Sequence, residues 1–186
     1  MKCLIVGLGN IGPEYLFTRH NIGFMIADRL AANNEAKFTI NKLAYTTEFK
    51  IRGNQIYVIK PTTYMNLSGK ALRYYMDGLK VEKENVLVLV DELQLDYGIL
   101  RLKPKGSHGG HNGLRNIEEI LGTPEYARLR FGVGSNFPRG RQVEYVLSNF
   151  SDNEMAGIVI DLDRACKIIT DFCTLGIDKA MNNSNQ

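Results

Sequence analysis

The chain has 186 residues, 44% of them hydrophobic, and a formal net charge of +3. That length fits one domain with a core of its own, and no apolar run is long enough to cross a bilayer. So small a charge neither demands nor excludes an anionic partner, and the placement of the basic residues matters more than their sum.

From the N-terminus, Lys2 to Val6 is a short apolar run that reads as a buried strand, and Gly7, Gly9 and Gly12 follow it as G-x-G-x-x-G. A dinucleotide site would open its helix at those glycines and place an acidic residue about 20 residues on, at the end of a second strand. Here Pro13 and an aromatic, polar stretch intervene, the next helical pattern spans 21–33, and Asp28 falls inside it. The nucleotide reading weakens accordingly. The loop becomes a rim that displays Asn10, Tyr15 and His20 at the carboxyl end of the first strand, where α/β folds hold ligands. Asn21 suits an N-cap, which puts His20 at the positive end of the helix and predicts an imidazole biased toward its neutral, basic form. Beside a carboxylate such a histidine is a general base for water, whereas a lone histidine more commonly ties a loop.

Strands near 45–52 and 55–60 flank a hairpin turn at Gly53-Asn54. Asn66 then stands before a helix near 67–78 and suits an N-cap. A central strand near 86–91 ends on Asp91, whose buried carboxylate needs a partner; a histidine across the strand ends would supply one. After a strand near 98–104, glycines 106, 109, 110 and 113 surround His108, His111 and Asn112 ahead of a helix near 113–121. Such a loop suits a lid or an anion contact. The H-x-x-H spacing of His108 and His111 lacks a cysteine or acidic ligand, so neither a metal nor another cofactor is expected. A serine hydrolase fails for want of a G-x-S-x-G elbow.

A strand near 128–134 precedes a long core helix at 152–175, opened by a capping box of Ser151 and Glu154. The closing NNSNQ is polar and is expected to fray. Cys3, Cys166 and Cys173 read as core thiols, since their spacing offers neither a metal set nor a disulfide framework. With no signal peptide and no membrane span in the pattern, a cytoplasmic location is expected.

The segments GLGNIGPEYLFTRHNIGF, PTTYMNLSGK, the DEL at Asp91 and GSHGGHNGLRNI, in that order, resemble the bacterial peptidyl-tRNA hydrolase family. RLRFGVG and YVLSNF extend the resemblance over nearly the whole chain. It implies a single α/β domain over 1–180 with a polar tail at 181–186, built as a twisted mixed sheet flanked by helices. It also implies a monomer that cleaves the ester between a peptide and the terminal ribose of tRNA, recycling the tRNA without a cofactor. Position by position, the resemblance puts the catalytic histidine on His20, its supporting aspartate on Asp91, and the choice of blocked over free amino groups on Asn10. Asn66 becomes the helper of the water or oxyanion. Tyr15, Tyr64, Asn66 and Asn112, with His111, fall among contacts to the tRNA 3′ end or the peptide, and Lys103 and Arg130 among those to the acceptor-stem phosphate. Ile11, Gln94 and Tyr97 depart from the family's usual residues and bear on the stiffness of the site rim. A second reading is a non-catalytic relative that partners RNA in splicing, against which the full set of His20, Asp91, Asn10, Asn66 and Asn112 argues.

Overall fold

A computed structural model describes residues 1–185. Its strands are β1 (Lys2–Gly7), β2 (Thr39–Asn41), β3 (Ala44–Ile51), β4 (Asn54–Pro61), β5 (Val86–Glu92), β6 (Leu100–Lys103) and β7 (Ala127–Gly132). They form one sheet in the order β2-β3-β4-β1-β5-β7-β6, parallel at its centre and antiparallel toward both edges. The central strands are covered on both faces and therefore read as unbroken apolar runs. Cys3 and Ile5 of β1 join a core with α1 (Ile22–Asn33) and α5 (Asp152–Leu175). Leu4 and Val6 join the opposite core with α2 (Ser68–Gly78) and α3 (Asn112–Leu121). This is the expected α/β class with a mixed sheet between helices.

The chain order of the strands fixes where a ligand can sit. From β1 the chain passes through α1 to β2, β3 and β4 on one side, then returns through α2 to β5 on the other side of β1. The connections after β1 and after β4 thus diverge, and the carboxyl ends of β1 and β5 border a crevice. His20 follows β1 and Asp91 lies near the end of β5.

The glycine pattern after β1 has a packing cause. A Cβ on Gly7 would lie 2.4 Å from the Gly23 carbonyl oxygen, and one on Gly9 would lie 2.7 Å from the Phe24 ring. Gly23 itself would place a Cβ 2.5 Å from both the Leu8 nitrogen and the Leu89 carbonyl oxygen. These glycines let α1 seat directly on the end of β1, so no nucleotide is needed to explain them. Gly23→Ala should therefore cost about 1–3 kcal/mol through overpacking, read as a lower urea midpoint. An unchanged midpoint would remove this account of the glycines.

Several expectations need correction. The β3–β4 hairpin turns at Arg52-Gly53, with φ of 49° and 81°, while Asn54 already pairs with Ile51. A two-residue loop wants both central φ positive, which sets the register one residue earlier than Gly53-Asn54. The strand β2 and the helices α4 (Gln142–Val146) and α6 (Ile177–Ser184) were not anticipated, since β2 has 3 residues and α4 has 5, too few to show a period. Nor does the tail fray over its described part. Helix α6 runs through Ser184, and the Asn185 amide donates to the Leu102 carbonyl at 2.8 Å and accepts from the Leu102 N–H at 3.1 Å. A polar residue can thus dock by hydrogen bonding to an open strand edge, which counting apolar groups overlooks. Gln186 lies outside the described residues.

Other expectations hold. Ser151 and Glu154 form the capping box of α5. Cys3, Cys166 and Cys173 are free and buried. Among the described residues no helix is long and apolar enough to cross a membrane.

Candidate active site

Asp91 is carried by β5 to the sheet's carboxyl edge, where its side chain is buried. His20 sits in a single 3-10 turn, Arg19–Asn21, immediately before α1. Its Nδ1 lies 2.9 Å from Asp91 Oδ2, as a carboxylate at a strand end required. The other carboxylate oxygen, Oδ1, is 2.9 Å from His111 Nε2. His111 is the N-cap of α3, its Nδ1 accepting from the N–H groups of Gly113 at 3.1 Å and Leu114 at 3.3 Å. That assigns the tautomers: an Nδ1 that accepts carries no proton, so His111 donates through Nε2. His20 donates to the same carboxylate through Nδ1, which leaves its Nε2 bare and able to take a proton.

Burial works against charge on Asp91, but the two imidazoles and their N–H bonds outweigh it and hold the carboxyl well below the usual carboxylate range. For His20, burial favours the neutral ring, yet the adjacent Asp91 charge and hydrogen bond prevail and raise its pKa above the ordinary imidazole value. The expected bias toward the neutral form is thereby corrected. A helix terminus offers about half a charge, whereas Asp91 offers a full one at hydrogen-bond distance.

Asn21 also departs from its expected role. It makes no side-chain cap. Instead its buried amide grips the main chain of Asn10, with Oδ1 accepting from Asn10 N at 2.8 Å and Nδ2 donating to Asn10 O at 2.9 Å. Asn10 is held by its backbone, and its own side chain is left for the cleft.

That cleft encloses 530 Å3, and Asn10, His20, Asp91, His111, Asn112 and Arg130 all border it. Asn66 does not line it, although its neighbour Met65 does. Asn66 caps nothing: it lies exposed in the 3-10 turn Met65–Leu67, and Leu67 takes the N-cap position of α2. Tyr15, Tyr64 and Lys103 also lie outside the cleft lining. Tyr64 is 81% exposed, and Lys103 is exposed at the end of β6. Arg130 is already engaged, donating to Glu92 Oε1 at 2.7 Å and to the Ser107 carbonyl at 3.2 Å, and so ties the glycine loop to β5. Of the unusual residues, Gln94 borders the cleft, Ile11 is exposed, and the Tyr97 hydroxyl donates to the Glu154 carbonyl at 2.8 Å.

The ligand atoms of His20, Asp91 and His111 lie within 4.8 Å of one another. Both imidazoles donate to the carboxylate, so the trio is a hydrogen-bonded chain and its geometry gives no ground for a chelate. His108, the other half of the H-x-x-H spacing, accepts from Gly110 N through Nδ1 at 2.9 Å. Sequence reasoning missed Arg19, Glu92, the hold of Asn21 on the Asn10 main chain and the pairing of His111 with Asp91. No periodicity marks any of them.

A sequence model of the peptidyl-tRNA hydrolase family matches residues 4–186. The protein of that name from Bacteroides fragilis is 53% identical over 186 residues, covering 100% of both chains. That from Cytophaga hutchinsonii is 51% identical over 185 residues, covering 100% of this chain and 98% of its own. The crystal structure of peptidyl-tRNA hydrolase from Acinetobacter baumannii matches with a TM-score of 0.92 at 34% identity, over 98% of this chain and 94% of that one. These relatives all carry the hydrolase name, so the non-catalytic RNA-binding reading gains no support. With its sheet order, its crevice beside β1 and these matches along its whole length, the chain belongs to the peptidyl-tRNA hydrolase family.

Proposed function

We propose that this protein hydrolyses the ester between the peptide, or an N-blocked aminoacyl group, and the 3′ ribose of tRNA, with His20 as general base. The observation that carries the reading is the 2.9 Å approach of His20 Nδ1 to Asp91 Oδ2, which assigns the proton to Nδ1, facing the carboxylate, and leaves Nε2 to accept. Nε2 takes a proton from a water as its oxygen attacks the ester carbonyl, and ionised Asp91 stabilises the imidazolium that forms. The tetrahedral oxyanion needs a donor, and we assign that role to the exposed amide of Asn66, next to the cleft-lining Met65, a contact worth about 2.7–4 kcal/mol. Collapse of the intermediate breaks the carbonyl–ribose bond, and the proton that Nε2 took from the water passes to the departing oxygen, directly or through solvent, which returns His20 to its neutral form.

Selectivity falls to Asn10. Its side-chain amide can donate to the first peptide carbonyl, a group that an unblocked aminoacyl ester lacks. Asn112 and His111, which border the cleft, are assigned to the 3′ end and the peptide, and Tyr15 and Tyr64, outside its lining, to the same substrate beyond it; Lys103 and Arg130 are assigned to the acceptor-stem phosphate. Phosphate contacts position an RNA without reading its sequence, which suits an enzyme that takes many tRNAs. A substrate made in translation supports action in the cytoplasm.

The test is release of tRNA from N-acetyl-aminoacyl-tRNA and from the unblocked ester. Wild type should cleave the blocked substrate, and Asn10→Ala should narrow its preference over the free one by at least about 10-fold. Equal cleavage of both esters by wild type would overturn the role of Asn10. Binding without cleavage would overturn the hydrolytic reading.

A further inference from the structure

The residue before His20 lies outside the cleft lining, yet many groups hold it. Arg19 is 9% exposed. Its backbone N–H donates to the Ser148 carbonyl at 3.1 Å, and the preceding Thr18 forms an isolated antiparallel bridge with Asn149. Its Nη1 donates to Ser148 Oγ at 2.5 Å and to the Asn149 carbonyl at 2.8 Å, and its Nη2 to Glu154 Oε1 at 3.0 Å. The guanidinium plane rests 4.2 Å from the centre of the Tyr145 ring.

These partners join two structures. Tyr145, Ser148 and Asn149 belong to α4 and the segment after it, where Val143, Val146 and Leu147 line the same cleft as the base. Glu154 belongs to the capping box of α5. A 3-10 turn has three residues per turn, so its side chains leave in three directions. Arg19 reaches the 145–154 segment, His20 reaches Asp91, and Asn21 reaches Asn10. The turn has no side-chain cap of its own, so these three attachments set its orientation.

We propose that Arg19 is a positioning residue for the hydrolysis, orienting the turn so that His20 Nδ1 stays on Asp91 and registering the base against the α4 wall of the cleft. The inference rests on His20 being the base. A planar fork with several fixed acceptors and a stacked ring is a geometry that lysine cannot reproduce.

The experiment compares Arg19→Lys and Arg19→Met with wild type on N-acetyl-aminoacyl-tRNA, reading kcat, KM and the acid limb of kcat/KM, with folding checked by circular dichroism. Arg29→Met is the control, because it removes an arginine–carboxylate pair to Asp163, at 2.7 Å, that joins α1 to α5 away from the site. Folded Arg19 variants should lose about 10- to 100-fold in kcat with KM little moved. Their acid limb should shift to lower pH as the His20–Asp91 pair loosens, and Arg29→Met should change neither. Wild-type kcat and acid limb in the Arg19 variants, whatever their melting temperature, would reduce Arg19 to a stabilising role. If those variants do not fold, Ser148→Ala removes one acceptor of Nη1 and should show the same kcat loss and limb shift in smaller measure. A wild-type profile there also overturns the proposal. His20→Ala separates the two claims: activity surviving in it sinks the assignment of the base, whereas activity lost in it but intact in the Arg19 variants sinks this inference alone.

Discussion

Replacing His20 with alanine is expected to lower kcat on N-acetyl-aminoacyl-tRNA by about 100- to 10,000-fold while KM changes little. The loss falls on kcat because, in the proposed mechanism, Nε2 acts on the proton of the attacking water, an interaction that grows only toward the transition state. The same group should shape the pH profile. A histidine serves as a base only when deprotonated, and against the opposing effect of burial the Asp91 charge and hydrogen bond raise the His20 pKa above the ordinary imidazole value. Wild-type kcat/KM should therefore climb with pH through a midpoint above that value and fall away on acidification below it. His20→Ala should lack that limb. A variant within about threefold of wild-type kcat, retaining the limb, would assign the base to another group.

Asp91→Asn should be nearly as damaging, for a reason of donor arithmetic. Ionised Asp91 accepts from both His20 and His111. Asparagine has one acceptor oxygen and one donor nitrogen, so it cannot serve both rings. His111 cannot yield, because its Nδ1 is already occupied by the N–H groups of Gly113 and Leu114. It keeps its Nε2 proton and takes the new oxygen. The amide NH2 then faces His20 Nδ1 and forces the proton onto Nε2, the atom that must be bare. In a serine-protease triad the same substitution costs about 10,000-fold through the wrong tautomer, and a kcat loss of at least about 100-fold is expected here. Restored activity in Asp91→Asn combined with His111→Ala, which frees the oxygen for His20, would support the tautomer argument. Wild-type kcat in the single variant would refute it.

The parts of this molecule that the sequence announces are those set by near neighbours or by burial. The apolar runs of β1 and β5, the capping box of α5 and the need of Asp91 for a histidine partner all follow from local pattern or from the cost of an unpaired buried charge. The misjudged residues have local and distant roles that compete. Asn21 and Asn66 stand where asparagine usually caps a helix, but Asn21 spends its amide on a main chain 11 residues away and Asn66 lies exposed in a 3-10 turn while Leu67 takes the cap position. His111 invites a comparison with His108, whereas its partner Asp91 lies 20 residues back in β5. The direction of the His20 shift is set by a carboxylate 71 residues distant, which outweighs the helix end beside it. Helix α4 has too few residues to show a period, yet it furnishes the wall to which Arg19 is tied.

The docking of Asn185 on Leu102 bears on how this sheet avoids joining another. An outer strand offers unpaired N–H and C=O groups along its length, a template for edge-to-edge association between molecules. At β6 a single side-chain amide satisfies both groups of Leu102, acting as a strand of one residue. Asn185 thus closes part of an edge that would otherwise be open to another strand. A chain cut before Asn185 is expected to keep the crevice but to open Leu102 to its neighbours, read as association that grows with concentration in light scattering.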